Sequence, residues 1–178
     1  MTSFSKWLGT LLNQSEIEVQ RLLRDDDAFH FLITWSLFES KCFAGFVKLE
    51  GIKSFSERME IEGLSAEALD EPLRHFHKRF QNADKFSNLL HGAGKKQDGI
   101  RQFQKCLATG LGELATADKV FLISFVVYRY RNNMFHGNKG VESWLRFGEQ
   151  IRLCTRAMQV FISHAETMSP TMSIAAAA

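Results

Sequence analysis

Apolar residues recur every three to four positions along most of the chain, the spacing that places them on one face of an α-helix. Three segments show the pattern most clearly. The first begins at the acidic run Asp25–Asp27 and continues to about Val47, the second covers Ala117 to His136, and the third covers Val141 to about Glu166. We expect these to be the longest helices. The core residues of the first are expected at positions 31, 32, 35, 38, 42 and 46.

Shorter helices are expected between and before these segments. Ser3 and Ser15 are placed to cap two short helices at the start of the chain, because a serine side chain can accept a hydrogen bond from the first helical turn. Gly51 is expected to break the chain, and residues 54–62 are charged and only weakly helical in pattern. Further helices are expected over 65–80, 84–90 and 100–107, with the glycine-rich stretch 91–99 as a loop.

The composition agrees with a helical, globular protein. The chain has 178 residues, of which 45% are apolar and 24% charged, as in soluble globular proteins. Two prolines occur against 16 phenylalanines, which excludes a collagenous, proline-rich or disordered chain. The predicted fold is all-α, a single-domain helical bundle over residues 1–168 with two long core helices. The tail 169–178, which is uncharged and ends in four alanines, is expected to be disordered.

Charge and cysteine content limit the partners, the metal or redox motifs and the location that can be expected for the protein. Residues 1–90 carry 11 Lys/Arg against 14 Asp/Glu, a charge of −3, and residues 91–178 carry 11 against 6, a charge of +5, which permits but does not require a polyanionic partner. The three cysteines form no Cys-x-x-Cys pair, so neither a zinc ribbon nor a redox motif is expected. Residues 1–14 lack a signal-peptide pattern, and the longest apolar stretch, 120–128, is shorter than the about 20 residues of a membrane span. A cytoplasmic protein without a membrane partner is expected.

The residues that most strongly suggest a catalytic or binding function lie at the C-terminal end of the second long helix. Residues 128–137 are Tyr-Arg-Tyr-Arg-Asn-Asn-Met-Phe-His-Gly, although an apolar helix does not need so polar an end. Asn132 and His136 are four residues apart and share a helical face. Arg131 and His136 are about 140° apart around an ideal helix, so they converge only if the helix unwinds near His136. Gly137 is well placed to allow such an ending.

This pattern resembles the motif of the HEPN superfamily (higher eukaryotes and prokaryotes nucleotide-binding domains), in which an arginine is separated from a histidine by about four to six residues and is often followed directly by Asn, Asp or His. Here the residues are Arg131, Asn132 and His136. The pairs Arg129–His136 and Arg24–His30 match the bare spacing too, but the latter straddles a predicted helix start. The adjacent Asn132 and the Phe-His-Gly ending favour Arg131–His136. The resemblance covers roughly residues 25–165 as a helical bundle.

The resemblance implies a metal-independent endoribonuclease that acts as a homodimer, with the two motifs facing one another and no cofactor. The 2′-OH of RNA attacks the adjacent phosphate and leaves a 2′,3′-cyclic phosphate and a 5′-OH. His136 would transfer a proton near neutral pH, Arg131 would hold phosphate oxygens, and Asn132 would orient the histidine or the phosphate. Because one chain supplies one such histidine, a dimer would supply both the base and the acid.

Four further residues are expected to contact RNA or to support the catalytic residues, namely Glu39, Arg129, Asn133 and Lys139. The implied substrate is tRNA, mRNA or rRNA. The implied setting is a bacterial toxin or an anti-phage effector, with an antitoxin or a sensor protein as a further partner. HEPN toxins that pair with a nucleotidyltransferase antitoxin commonly have a tyrosine two residues after the histidine, where this chain has Asn138, and this puts that pairing in doubt.

Three other interpretations stay open. The polar helix end is also typical of a solvated helix terminus at which His136 caps carbonyl groups. The same side chains suit a non-catalytic module that binds RNA or a nucleotide. A dimeric interaction module would use the last helix and the long first-half helix, and a charge at Trp144 or Ile151 would then break the dimer. His75 and His77 are two residues apart and do not share a helical face, so no metal site is expected there.

Overall fold

The computed structural model describes residues 2–24, 26–91, 97–135 and 147–168. In these ranges the chain forms nine α-helices and two 3₁₀ turns and no strand, which confirms the all-α prediction. The helices are α1 (Phe4–Leu12), α2 (Glu16–Leu23), α3 (Asp27–Cys42), α4 (Leu49–Ile61), α5 (Asp70–Phe80), α6 (Ala83–Leu90), α7 (Gln97–Ala108), α8 (Thr116–Phe135) and α9 (Gly148–Met168). The 3₁₀ turns are Ala66–Leu69, directly before α5, and Leu111–Glu113, before α8.

The central helix of the bundle is α8. Every residue from Val120 to Val127 is buried, because this run, which is apolar apart from Ser124, has no polar face to turn toward water. α8 packs most extensively against α4 and also contacts α5, α6, α7 and α9. Among the described residues, no helix is both long and apolar enough to cross a membrane.

The second main contact of the fold joins α3 and α9, which run parallel. Arg152 on α9 pairs with Asp27 at the start of α3 at 2.8 Å, and Lys41 at the end of α3 pairs with Glu166 at 3.0 Å. Between these two ion pairs, Phe38 of α3 and Phe161 of α9 lie 5.8 Å apart between ring centres, and Phe55 of α4 closes the cluster at 5.5 and 5.4 Å. The aromatic contacts therefore join α3, α4 and α9 into one core.

The first two helices form a hairpin that packs mainly on itself. Ser3 caps α1 as predicted, because its Oγ accepts a hydrogen bond from the Lys6 backbone N–H at 3.2 Å. Ser15 and Glu18 form a capping box before α2, since the Glu18 N–H donates to Ser15 Oγ at 3.2 Å and the Ser15 N–H donates to Glu18 Oε2 at 2.9 Å. Asn13 turns the chain between the helices with a left-handed φ of 53°.

The long first-half helix ends earlier than predicted, at Cys42 rather than near Val47. Ala44 and Gly45 have φ values of 45° and 108°, a left-handed turn that an α-helix cannot continue through. Phe46, which was expected in the core, is consequently 79% exposed. Leu32 is also on the outer side of the helix, 37% exposed.

Two glycines that were expected to interrupt helices lie inside them. Gly51 is in α4, whose buried residues Ile52, Phe55 and Met59 follow the helical period. Gly99, predicted to be in a loop, is in the first turn of α7. A Cβ at Gly99 would come within 2.9 Å of the Leu49 side chain, so the glycine allows α7 to pass close to α4. The rest of that predicted loop falls partly on residues 92–96, outside the described residues.

The last helix begins at Gly148 in the described residues, and the predicted start over 141–146 lies outside them, as does the predicted disordered tail 169–178. Ile151 is 1% exposed and belongs to the core. A charge at this position would therefore disturb folding, so Ile151 is not a usable test of dimer formation. Trp144 lies outside the described residues.

Candidate functional site

The polar residues at the end of α8 point to different neighbours. Successive side chains on a helix are separated by about 100°, so a run of polar residues at its end necessarily faces several elements. Arg129 faces α6, Tyr130 faces α5 and the residue before α9, and Arg131 faces α3. Asn132 is half-buried beside Arg131. The run therefore divides into residues that hold the bundle together and residues that are accessible at its end.

Two of the three predicted catalytic residues lie side by side. The Arg131 Nη1 group donates a hydrogen bond to Asn132 Oδ1 at 3.2 Å, and both side chains are half-buried. The guanidinium of Arg131 also lies over the Trp35 indole ring of α3, with 5.6 Å between Cζ and the ring centre. The cation is thus held between an aromatic face and an amide at the surface of the bundle.

The third predicted catalytic residue, His136, lies outside the described residues, as do Gly137, Asn138 and Lys139. α8 is helical through Phe135, so the backbone of Arg131 and Asn132 is regular helix. The expected unwinding near His136 and the expected RNA contact of Lys139 remain predictions.

Arg129 and Asn133, expected to contact RNA or to support the site, are buried against α6. The Arg129 Nε–H donates to the Leu89 carbonyl at 3.1 Å, and its Nη2 group donates to the His91 carbonyl at 2.8 Å and to Asn133 Oδ1 at 3.4 Å. Asn133 Nδ2 also donates to the Leu89 carbonyl at 3.4 Å.

These bonds satisfy carbonyl groups that the C-terminus of α6 cannot satisfy itself. Burial lowers the pKa of Arg129 from its usual value, although the guanidinium stays charged at neutral pH. With 5% and 7% exposure, Arg129 and Asn133 are placed to position the end of α8 rather than to contact RNA.

Glu39 closes the C-terminus of α3. Its carboxylate Oε1 accepts a hydrogen bond from the Val47 N–H at 3.3 Å, and its backbone carbonyl accepts from Phe43 and Gly45 at 3.2 and 3.0 Å. It stands one helical turn after Trp35, and the hydrogen bonds that it accepts hold the end of α3. Its supporting role at the Arg131 site stays a prediction.

A second polar cluster, not predicted as a site, lies where α5 meets the start of α9. His75 Nδ1 is 3.6 Å from Glu149 Oε1, and Gln150 Nε2 is 3.4 Å from His75 Nε2. Desolvation by burial lowers the pKa of His75, and the neighbouring Glu149 carboxylate only partly opposes this. His75 is therefore neutral at pH 7, with its Nδ1–H directed at the carboxylate and its Nε2 accepting from Gln150.

His77, the other histidine of α5, has a structural role. It is 6% exposed; Nε2 is 2.9 Å from the Thr109 carbonyl, and Nδ1 is 3.2 Å from Gln81 Nε2. The carbonyl can only accept, so Nε2 carries the proton and Nδ1 accepts from the amide. His75 and His77 thus bind different partners, and in the described ranges no three His, Cys, Asp or Glu side chains come together as metal ligands would.

Trp35 is the one residue of the Arg131 site that the sequence did not indicate as functional. It occupies a core position of α3 at 5% exposure, and the periodicity that places it there is the same for any buried aromatic residue. Nothing in the spacing between positions 35 and 131 predicts their contact.

Comparison of the chain with protein-family models, with curated proteins and with solved structures found no match.

Proposed function

We propose that the protein is a metal-independent endoribonuclease, active as a homodimer, that cleaves RNA to leave a 2′,3′-cyclic phosphate. The observation that carries the proposal is the Arg131–Asn132 pair, half-buried at the end of the central helix and backed by Trp35. The HEPN resemblance of the motif that contains the pair supplies the reaction. A toxin or anti-phage setting follows from the same resemblance, and the cytoplasmic location expected from the sequence is part of the proposal.

The pair has the chemistry that a phosphodiester requires. A guanidinium can donate two parallel hydrogen bonds to phosphate oxygens, and it keeps its charge at any physiological pH. The guanidinium lies over the Trp35 ring, with Cζ 5.6 Å from the ring centre, and the half-buried side chain keeps its positive charge at the end of α8. The hydrogen bond that Arg131 Nη1 donates to Asn132 Oδ1 helps to fix the orientation of the guanidinium plane.

In the proposed reaction the RNA 2′-OH loses its proton to a base, and its oxygen forms a bond to the adjacent phosphorus. The bond between phosphorus and O5′ then breaks, and the departing O5′ takes a proton from an acid. His136 serves as one of these two groups, and the second chain of the dimer supplies the other. Arg131 stabilises the additional negative charge on the non-bridging oxygens during the attack.

A binding module is the second candidate, because Arg131 and Asn132 bind and orient but do not transfer protons. Measurements of RNA affinity and of RNA cleavage distinguish the binding module from the enzyme. Arg131→Ala is expected to weaken RNA binding whether the protein is an enzyme or a binding module. If it is an enzyme, His136→Ala is expected to lower the cleavage rate by about 10²–10⁴-fold. Fluorescence anisotropy with a labelled single-stranded RNA measures the first effect and gel analysis of the same RNA measures the second.

Arg101→Ala is the matched control, since its side chain is 70% exposed on α7, lies 4.0 Å from Asp98 and donates a surface hydrogen bond to Gln97 Oε1 at 3.1 Å. It removes one positive charge without touching the end of α8. Equal loss of binding in Arg101→Ala and Arg131→Ala would reduce the role of Arg131 to net charge. Cleavage unaffected by His136→Ala would contradict the enzymatic proposal.

A further inference from the structure

A second arginine lies near the end of α8, on the side that faces α5. Arg79 of α5 places its guanidinium over the ring of Phe147, with 6.0 Å between Cζ and the ring centre. Phe147 in turn contacts Tyr130 of α8, with 6.0 Å between their ring centres, and Tyr130 directly precedes Arg131. Arg79 and Arg131 are therefore both near the C-terminal end of α8, each over an aromatic ring, on different sides of the helix.

Arg79 is a half-buried cation without a carboxylate partner among the described residues. Its Nε atom is buried and has no hydrogen-bond acceptor. Two carboxylates of the interface between α5 and α9 are engaged elsewhere. Glu71 pairs with Arg156 at 2.7 Å, and Glu149 accepts a hydrogen bond from Gln150 at 3.1 Å. A charge that is partly withdrawn from water is stabilised by an oppositely charged partner, so the surroundings of Arg79 suit an anionic ligand.

A lysine adds to the positive charge beside Arg79. Lys85 of α6 is exposed, and its charge and that of Arg79 both reach His75. Burial lowers the pKa of His75, Glu149 opposes this shift, and the two cations increase it. Because Glu71 already has an ion-pair partner, the two cations stand against the single carboxylate of Glu149. The position therefore keeps a net positive charge.

The neighbouring tyrosine helps to hold Arg79 at the end of α8. Tyr130 is 8% exposed, and burial raises the pKa of its hydroxyl, whereas Arg79 opposes this rise by its charge and by a hydrogen bond. The guanidinium is thus fixed between the Tyr130 hydroxyl and the Phe147 ring. Arg131 is held in a similar way, between the Asn132 amide and an indole ring. Both cations are pre-organised, so a ligand that binds them loses less conformational freedom.

We infer that Arg79 and Lys85 bind a second phosphate of the RNA strand whose scissile phosphate meets Arg131. The inference rests on the proposed function for the identity of the ligand. Arginine donates paired hydrogen bonds to phosphate oxygens, and lysine attracts the same group as a point charge. A helix with its side chains is about 10–12 Å across, so a strand of a few nucleotides that crosses the end of α8 can contact both arginines.

The Arg79 subsite, which consists of Arg79 and Lys85, should respond to the length of the strand and not to its bases. Phosphate contacts position a nucleic acid but carry no direct sequence information. A separately bound mononucleotide would offer the same phosphate chemistry, so affinity for a strand must be compared with affinity for a mononucleotide.

The salt dependence of RNA binding tests the subsite directly. Fluorescence anisotropy with a labelled 2′-O-methyl octanucleotide measures affinity without cleavage, because this strand has no free 2′-OH to attack the phosphate. Arg79→Gln is expected to weaken binding about tenfold. It is also expected to reduce the slope of log affinity against log salt by about 0.7, the value for one phosphate contact of a single strand.

Arg101→Gln is the matched control, because Arg101 is 70% exposed on α7 and is not part of the subsite. Its slope is expected to equal that of the wild type. Lys85→Gln keeps the inference testable where Arg79→Gln folds poorly, since Lys85 is exposed on α6, and it is expected to reduce the slope by a similar step. Slopes for Arg79→Gln and Lys85→Gln equal to that of the control would overturn the inference.

Nuclear magnetic resonance titration with AMP distinguishes a strand from a separately bound nucleotide. In Lys85→Gln, the affinity for AMP is expected to fall no more than the affinity for the octanucleotide. A larger loss of affinity for AMP would identify a separate nucleotide site and contradict the path of the strand across the end of α8.

The subsite and the ribonuclease activity can fail separately. If the wild type binds the octanucleotide with the expected change of slope in the variants but leaves unmodified RNA intact, the subsite belongs to a binding module. If the wild type cleaves RNA and the slopes do not change, the enzyme stands and the subsite is refuted. A wild type that does not bind the octanucleotide would refute the subsite as well.

Discussion

The guanidinium of Arg131 lies over the indole ring of Trp35, with Cζ 5.6 Å from the ring centre. This contact links the end of the central helix α8 to the middle of α3, two elements that both pack against α9. A cation over an aromatic face keeps its charge while part of its hydration is replaced by the ring. Trp35 therefore sets where the positive charge at the end of α8 is presented.

Replacing Trp35 should weaken RNA binding in proportion to the loss of the aromatic face. Trp35→Leu is expected to lower RNA affinity by about 2- to 30-fold, the range of a cation–π contact, while Trp35→Phe retains most of it. Both variants lose side-chain volume from a buried position, so thermal melts recorded beside the anisotropy measurements separate stability from binding. Equal affinity in the Leu and Phe variants would show that the ring face does not matter.

Arg129 is expected to be essential for stability. Arg129→Met keeps a long side chain but leaves the carbonyls of Leu89 and His91 without their charged donor. We expect the free energy of unfolding in urea to fall by about 3 kcal/mol. Arg101→Met, at an exposed position, is expected to change it by less than about 0.5 kcal/mol. A loss in Arg129→Met no larger than in this control would contradict the role assigned to Arg129.

The two arginines of the polar run show how far the sequence could predict the site. Arg129 and Arg131 stand two residues apart in the same kind of surroundings, and both match the bare spacing to His136. Their difference arises from rotation around α8, which turns one toward the carbonyls of α6 and the other toward Trp35. Periodicity predicts that they face different directions, but only the packing of the bundle determines which neighbour each direction meets.

Glu39 offers a test of support through the backbone. Glu39→Ala removes the acceptor for the Val47 N–H, and we expect the free energy of unfolding to fall by about 1 kcal/mol. Because the carboxylate acts on the end of α3, RNA cleavage by the folded variant should stay within about twofold of the wild type. Glu57→Ala on α4, whose carboxylate lies 3.9 Å from Lys53 in an exposed pair, is the control for loss of a surface carboxylate. A large loss of cleavage at unchanged stability would place Glu39 in the reaction itself.

The helices themselves were largely predictable, and the exceptions have local causes. The caps at Ser3 and Ser15 follow from hydrogen bonds within one helical turn, which the sequence encodes directly. The early end of α3 depends on Ala44 in a left-handed conformation. Alanine rarely adopts this conformation, so the sequence does not predict it. Gly51 and Gly99 show the opposite case, because tertiary packing keeps both in helices that their propensity disfavours.

The buried thiols should make stability sensitive to alkaline pH. Desolvation by burial raises the pKa values of Cys42 and Cys106 to about 12 from an ordinary value of 9.0, and it raises that of Cys154 as well. A raised folded-state pKa contributes stability that is fully present below about pH 9 and is lost as the pH rises toward 12. We expect the free energy of unfolding, measured in urea with a reductant, to fall by at least about 2 kcal/mol between pH 8 and pH 10.5.

The control for this pH effect is Cys106→Ser, in which one of the three buried thiols no longer titrates. Its stability is expected to fall less steeply over the same interval. Cys106 is within 3.8 Å of the Asp118 carboxylate, a second reason for its thiol to resist ionisation. A wild-type stability that stays constant up to pH 10.5 would be incompatible with burial of the thiols.

The most direct test of the central claim is cleavage of a mixed single-stranded and tRNA substrate in excess EDTA, by wild-type protein and His136→Ala purified side by side, with the product ends mapped. The account predicts cleavage by the wild type alone, with 2′,3′-cyclic phosphate on the upstream product and a 5′-OH on the downstream product. Arg131→Ala is expected to lower the wild-type rate by about 10²–10³-fold. Equal cleavage by the wild type and His136→Ala, or 5′-phosphate product ends, would contradict it.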